Sequence, residues 1–552
     1  MDTTRTGPSG PPAPHGRTAR AAGAALGTTV VAALLAACST GGGAPGAVAP
    51  TATGEPVEGG RLSFGLGYDP TCLDPQQAGG NDSLNIGRQL VDSLTDQDPE
   101  TGEIVPWLAE SWEVSDDATR FTFALRDDAT FADGTPVDAA AVQANLDGVA
   151  ALGARSTLGA SYLDGYVETV VEDESTATVV FDSPSAQFLQ ASSTMTLGLV
   201  SVDSTALTAD ERCAGDFVGS GPFVLTDWQP GRSAAVDRRD DYAWPSALAG
   251  HDGPAYLDGI DYEVVPEPSV RTGSVVSGQL DAFMNVLPSD EAQLEGAGVT
   301  VVARANPGIS FALVPNLARP VSGDDAVREA VSAAIDRAQV VDTVLTPSYR
   351  AATAPLTSSN PAWTDLGDLL VLDVDRATSV LDAAGWLPGE DGVRVKDGER
   401  LSAKVLYITN FSASQQILEL VQQQLAALGV ELVLHEVPLA EYTQAREQGD
   451  YDFSWQSLTR ADGDVLRTVY RGLGLDADDP LLATLDAQAA EPDPAARQEL
   501  LADAQRTLLE RHLTIPVMEF TTVIASAPHV HDIRFEASSR LSFYDAWVEA
   551  EQ

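Results

Sequence analysis

A chain of 552 residues is too long to pack around one hydrophobic core, so it must divide its apolar residues among two or more lobes. Its patterning says what kind of lobes these are. Arg61 to Gly67 alternates and reads as a first strand, broken by Gly-Tyr-Asp-Pro. Leu84 to Leu94 is helix-like. Trp112 to Leu125 reads as two strands around a Ser115-Asp116-Asp117 turn, with Phe121, Phe123 and Leu125 on one face. Asp138 is placed to cap a helix carrying Val142, Leu146 and Val149, and Asp325 one carrying Val327, Val331 and Ile335. Strands are expected at Phe223 to Trp228, Ser233 to Arg238, Asp261 to Val265, Val430 to Leu434 and Tyr451 to Ser454. Helices are expected from Asp375 to Gly385, Ser412 to Gly429 and Ala495 to His512. Strands alternating with helices predict an α/β protein with mixed sheets.

The N-terminus carries an address. Arg5, Arg17 and Arg20 precede an apolar, Ala-rich run from Ala21 to Ala37, the order of a secretory signal. The run closes on Leu35-Ala36-Ala37-Cys38, which looks like a lipobox with Cys38 as the lipidated first residue of the mature chain. The alternative is an uncleaved N-terminal anchor. Residues 38–58 are rich in Gly, Ser, Thr and Pro and read as a flexible tether. Together these predict a protein held at the outer face of the cell membrane. A formal net charge of −49 repels nucleic acid and anionic headgroups, so membrane attachment is expected through the lipid alone. Cys72 and Cys213 remain. Export favours a disulfide between them over two separate thiols.

One segment is far more specific than the rest. Residues 102–142 read GEIVPWLAESWEVSDDATRFTFALRDDATFADGTPVDAAAV. This closely resembles the signature of the peptide/nickel group (family 5) of ABC-transporter extracellular solute-binding proteins. Gly219-Ser220-Gly221-Pro222-Phe223, Arg238 to Trp244, Val327 to Val344, Leu381 to Trp386 and Leu425 to Val430 extend the resemblance in order along the mature chain.

The resemblance implies a two-lobed periplasmic-binding-protein-like fold (type II, cluster C) that closes about a hinge. Lobe one would take about residues 59–305, with an extra subdomain at about 112–218, and return over 514–552. Lobe two would take 306–513. It implies a monomer with no cofactor that hands a small ligand to the permease and ATPase subunits of an ABC importer: a peptide first of all, with an anionic conjugate, an oligosaccharide or a nickel complex as the alternatives to a peptide, and an extracellular enzyme as the rival to a binder.

It also directs attention to a cleft. One wall would be Tyr68 and Asp69 after the first strand. The other would be Trp455 and the loop through Arg460 and Asp462. Peptide-binding members use an Asp in this second loop to hold the peptide amine, but alignment places that Asp near Thr459. Asp462 is the candidate replacement, if the loop shifts. Arg460 reads either as a clamp for carboxylate or phosphate or as a lobe-closing or solvated charge. Trp455 is either core or ligand wall. Asn316 resembles a hinge-proximal Asn that touches ligand or satisfies backbone.

Enzyme motifs are not found: the chain has no Gly-x-Ser-x-Gly, no His-Glu-x-x-His and no phosphate-binding Gly-rich loop. His529 and His531 share a strand face and are the one close histidine pair. A metal there would lack further ligands.

Overall fold

The computed structural model describes residues 54–408 and 411–549. The apolar run and Cys38 lie outside them. Among the described residues, no helix is long and apolar enough to cross a membrane.

The chain begins with β1 (Arg61–Leu66) and α1 (Asn81–Leu90). It then builds a four-stranded antiparallel sheet from β2 (Ala109–Val114), β3 (Arg120–Leu125), β4 (Tyr166–Val171) and β5 (Thr176–Phe181), in the order β2-β3-β5-β4. This sheet starts three residues before the expected Trp112. Phe121, Phe123 and Leu125 are buried on one face, where the rings of Phe121 and Phe123 meet Phe188 edge-on at 5.0 and 6.3 Å. Between β3 and β4 run α2 (Ala139–Leu152) and the short α3 (Thr157–Tyr162). Asp138 caps α2 by accepting the Ala141 N–H at 2.8 Å, a contact worth about 1 kcal/mol.

The next strands are β6 (Phe223–Gln229), β7 (Ser233–Arg238), β8 (Gly259–Val264), β9 (Ala282–Met284) and β10 (Thr300–Ala305). They belong with β1 to a seven-stranded mixed sheet. The Gly219-Ser220-Gly221 run that precedes β6 is explained by close approach. A Cβ on Gly219 would stand 1.8 Å from the Leu90 carbonyl oxygen at the end of α1.

A second sheet follows from β11 (Gly308–Pro315), β12 (Ser402–Tyr407), β13 (Glu431–Glu436), β14 (Phe453–Thr459) and β15 (Ile515–Met518), in the order β13-β12-β14-β11-β15. It packs with α4 (Asp325–Ala334), α5 (Ser414–Leu428), α6 (Val465–Tyr470) and α7 (Pro494–Glu510). The last long strand, β16 (Thr521–Ser526), returns to the first sheet, whose order is β10-β16-β9-β1-β8-β7-β6. The chain therefore passes between the sheets twice, at residues 305–308 and 518–521. Because β15 pairs with β11, the return to the first sheet begins at Thr521 and not at Thr514.

Local differences have local reasons. The cap of α4 is Asp324, which accepts from the Ala326 N–H at 3.0 Å, and Asp325 is already inside the helix. The expected strand Tyr451 to Ser454 becomes β14, because antiparallel pairing with β11 continues to Thr459 opposite Gly308. Gly429 closes α5 at φ 86°, a left-handed position suited to glycine. The Arg337 guanidinium is buried and donates to the carbonyls of Pro516, Ser332, Ile335 and Leu370, which ties the segment after α4 to β15. Cys72 and Cys213 form a disulfide.

Candidate functional site

The two halves meet where the end of β14 faces α3. Arg460 follows β14 directly and is only 3% exposed. Its Nη1 donates to Thr468 Oγ1 at 2.9 Å and its Nη2 to Ser161 Oγ at 2.7 Å, while Cζ stands 4.6 Å from the ring centroid of Tyr162. Its main chain is fixed as well. The N–H donates to the Pro307 carbonyl at 2.8 Å, and the carbonyl accepts from Asn360 Nδ2 at 3.1 Å. Its partners are hydroxyls, a ring and backbone, not a carboxylate. The opposite charge that acts on it, Asp462, is paired with Arg497, so the Arg460 guanidinium keeps attraction for a further anion.

Ser161 and Thr468, the two hydroxyls that hold Arg460, also line a cavity of about 620 Å³ between the α2–α3 segment and α6. Arg467 and Arg471 stand on its α6 side and Asp164 on the other. Arg467 is paired with Asp464 at 2.7 Å, and Arg471 with Asp486.

Asp462 is not available to hold an amine. Arg497 Nη1 and Nη2 donate to its two oxygens at 2.8 and 2.6 Å, and its Oδ1 also accepts the Asp464 N–H. Burial works against its ionisation, but the charge and hydrogen bonds of Arg497 outweigh that and hold the carboxyl below its ordinary range.

Trp455 is 1% exposed, stacked on Phe311 at 5.0 Å, with its indole N–H donating to Ser414 Oγ at 3.2 Å. It packs the second sheet against the start of α5 and offers no surface to a cleft. Asn316 lies at the far end of β11 from the crossing. Its Nδ2 donates to the Gly449 and Tyr451 carbonyls, each at 3.1 Å, and its Oδ1 accepts from the Ala318 N–H, so its polar atoms are engaged by backbone.

The residue at the crossing is Asn306. Its N–H donates to the Phe520 carbonyl, its Oδ1 accepts from Thr522 Oγ1 at 2.7 Å, and its carbonyl accepts from Thr357 Oγ1 at 2.7 Å. At the second crossing the buried Glu519 accepts both the Ser358 N–H and its Oγ.

Tyr68 is 60% exposed. The N–H groups of Gly67 and Tyr68 donate to Asp82 Oδ1 at 3.0 and 3.4 Å, which fixes the loop after β1 on the first turn of α1. Burial pushes the Asp82 carboxyl up to about 6 against these bonds. Asp69 Oδ1 accepts from the Gly231 N–H at 2.7 Å and so joins this loop to the β6–β7 turn.

The histidine pair does not converge. His529 Nε2 is 2.8 Å from Asp281 Oδ1, and His531 Nε2 is 3.0 Å from Glu549 Oε1. Among the described residues, no group of three or more His, Cys, Asp or Glu is placed to hold a metal.

The structure thus brings Arg460 together with Ser161, Tyr162 and Thr468, none of which stood out as a sequence motif. It leaves Tyr68 and Asp69 together on the loop after β1, and Trp455, Asp462 and Asn316 each engaged by other partners.

The chain was compared with known proteins. The family model of bacterial extracellular solute-binding proteins, family 5 middle, matches residues 103–478. Protein XP55 of Streptomyces lividans is 31% identical over 378 residues, which are 66% of this chain and 65% of XP55, just under two thirds of that relative. The glutathione-binding protein GsiB of Escherichia coli (strain K12) is 26% identical over 376 residues, 66% of this chain and 67% of GsiB. NikA from Brucella suis, solved in complex with Fe(III)-EDTA, superposes with a TM-score of 0.78 at 24% identity, covering 89% of this chain and 100% of NikA. The fold is that of the periplasmic binding proteins. With its two mixed sheets, its double crossing and a family match across most of its length, the chain belongs to the bacterial extracellular solute-binding proteins of family 5, which are binders of solutes rather than enzymes.

Proposed function

We propose that this protein captures a small carboxylate-bearing solute, a short peptide first among them, and presents it to the permease and ATPase subunits of an ABC importer. The observation that carries this is Arg460: a buried cation at the junction of the halves, held by hydroxyls and a ring, while the neighbouring Asp462 is neutralised by Arg497. A peptide would then be held by its carboxylate rather than by its amine, since guanidinium matches carboxylate in a two-pronged geometry.

In this reading the two sheets are the cores of two lobes, residues 59–305 with 521–549 and residues 306–518. Asn306 and Glu519 support the hinge. The lobes close when the ligand joins them. Cys38 carries the lipid that keeps the protein at the outer face of the membrane, and the protein works as a monomer.

The test is the melting temperature of the purified protein with a pool of di- to pentapeptides, set against the same pool with C-terminal amides. A ligand binding only the folded state at ~100 times its Kd adds about 2.7 kcal/mol, which raises the melt by a few degrees. A saturable rise with the free acids and none with the amides supports the reading. No rise with either removes peptides as the ligand class.

A polycarboxylate metal chelate is the second reading. It is favoured by the same cation and by the Fe(III)-EDTA held by NikA. A rise with chelates and none with peptides would select it.

A further inference from the structure

A second cavity, of about 270 Å³, lies wholly within the half built on the seven-stranded sheet. Its walls come from residues 88–107, 222–249 and 534–545, so it shares no lining residue with the Arg460 junction. The volume is just under that of drug-sized sites, which limits the occupant to a small molecule.

Its chemistry is distinctive. Trp107, Tyr242 and Tyr544 contribute aromatic surface. Two guanidinium groups line it, and both are already paired. Arg88 lies 3.5 Å from Glu536 and stands over the Trp107 ring at 4.7 Å, while Arg534 is 3.1 Å from Asp545. The remaining charge in the lining is acidic and includes Asp96. The Asp96 carboxylate accepts from Ser246 Oγ at 2.5 Å and from the Gln97 N–H at 2.8 Å. The Arg88 guanidinium is fixed further by donating to Ser93 Oγ at 3.1 Å and to the Val91 carbonyl at 2.5 Å.

We infer that this cavity is a second ligand site, for a small arylalkylammonium. Aromatic faces and carboxylates together attract a cation with an apolar body. The inference is independent of what binds at Arg460.

The test is calorimetric titration of the purified protein with tyramine, and with 3-(4-hydroxyphenyl)propionate, which keeps the ring and hydroxyl but reverses the charge. Saturable one-to-one binding of tyramine is expected, with the acid at least about tenfold weaker, the discrimination of one charged contact. Asp96→Asn should weaken tyramine roughly tenfold by removing that charge. Ala249→Phe, which fills the cavity from its lining, should abolish binding. No heat with tyramine, equal affinity for the acid, or full affinity in a folded Ala249→Phe variant would each overturn the site. Should Ala249→Phe fail to fold, Asp96→Asn decides.

Discussion

Arg460 lies over the ring of Tyr162, its Cζ 4.6 Å from the centroid, and joins two parts of the molecule that are remote in sequence. Neither residue is anchored by an opposite charge from the other half. On the proposed reading, a ligand carboxylate would complete this contact.

Replacing Arg460 should separate charge from geometry. Arg460→Ala should weaken a carboxylate ligand by roughly ten- to a hundredfold, the range of a hydrogen bond to a charged group. Arg460→Lys should fall between, because an ammonium keeps the charge but not the planar fork. Titration of the two variants with the same ligand checks this. Equal affinity in wild type and Arg460→Ala would remove Arg460 from the site.

The Asp462–Arg497 pair is buried, and its two side chains are 7% and 14% exposed. Arg497→Ala should destabilise the fold by about 3–5 kcal/mol by leaving a buried carboxylate alone. The pair also sets an acid limit. Asp462 has its carboxyl lowered in the fold from the ordinary 3.8, so its contribution is complete above that value and is lost as pH falls through the lower folded value. Denaturant melts of the variant and wild type between pH 7 and pH 3 check both parts.

Asp92 works in the opposite sense. Burial pushes its carboxyl from 3.8 up to about 7, despite the charges of Arg88 and Arg239 and the bond from Trp244 Nε1 at 3.0 Å. The folded state then holds a proton that the unfolded state gives up. Stability is undiminished below pH 3.8 and declines as pH rises to about 7. At about 1.4 kcal/mol per unit, the decline is on the order of 4 kcal/mol. Asp92→Asn should flatten this part of the pH profile, which urea midpoints at pH 5 and pH 8 would show.

The Cys72–Cys213 bond closes a loop of 141 residues. Loop-closure entropy gives it about 5 kcal/mol at most, and removal of such bonds commonly costs about 2–5 kcal/mol. A melt with and without dithiothreitol, beside a Cys213→Ser variant, should show equal losses. A melt indifferent to reductant would mean that the bond contributes nothing.

Much of the fold was legible because its signals are local. Asp138 before an apolar period and Gly429 after one mark helix ends within a few residues of their origin. Gly219 was legible as part of a motif, though its reason, the nearby Leu90 carbonyl, is a contact between remote segments. The site was much less legible. Arg460 stood out as a charge in a polar loop, but its partners Ser161 and Tyr162 sit in a short helix with no patterning of its own. Asp462 read as an open anion because Arg497, which neutralises it, lies 35 residues on and is one of many helix-borne arginines. Trp455 could not be assigned to core or cleft until the neighbouring strand β11 placed Phe311 against it.

The position of β16 has a consequence for how the molecule is made. This strand is inserted between β9 and β10, so the first sheet lacks an interior member until Thr521–Ser526 has emerged. A chain delivered N-terminus first must wait with two strand edges unpaired while more than two hundred intervening residues arrive. Completion of the first sheet is thereby tied to the final few dozen residues of the polypeptide.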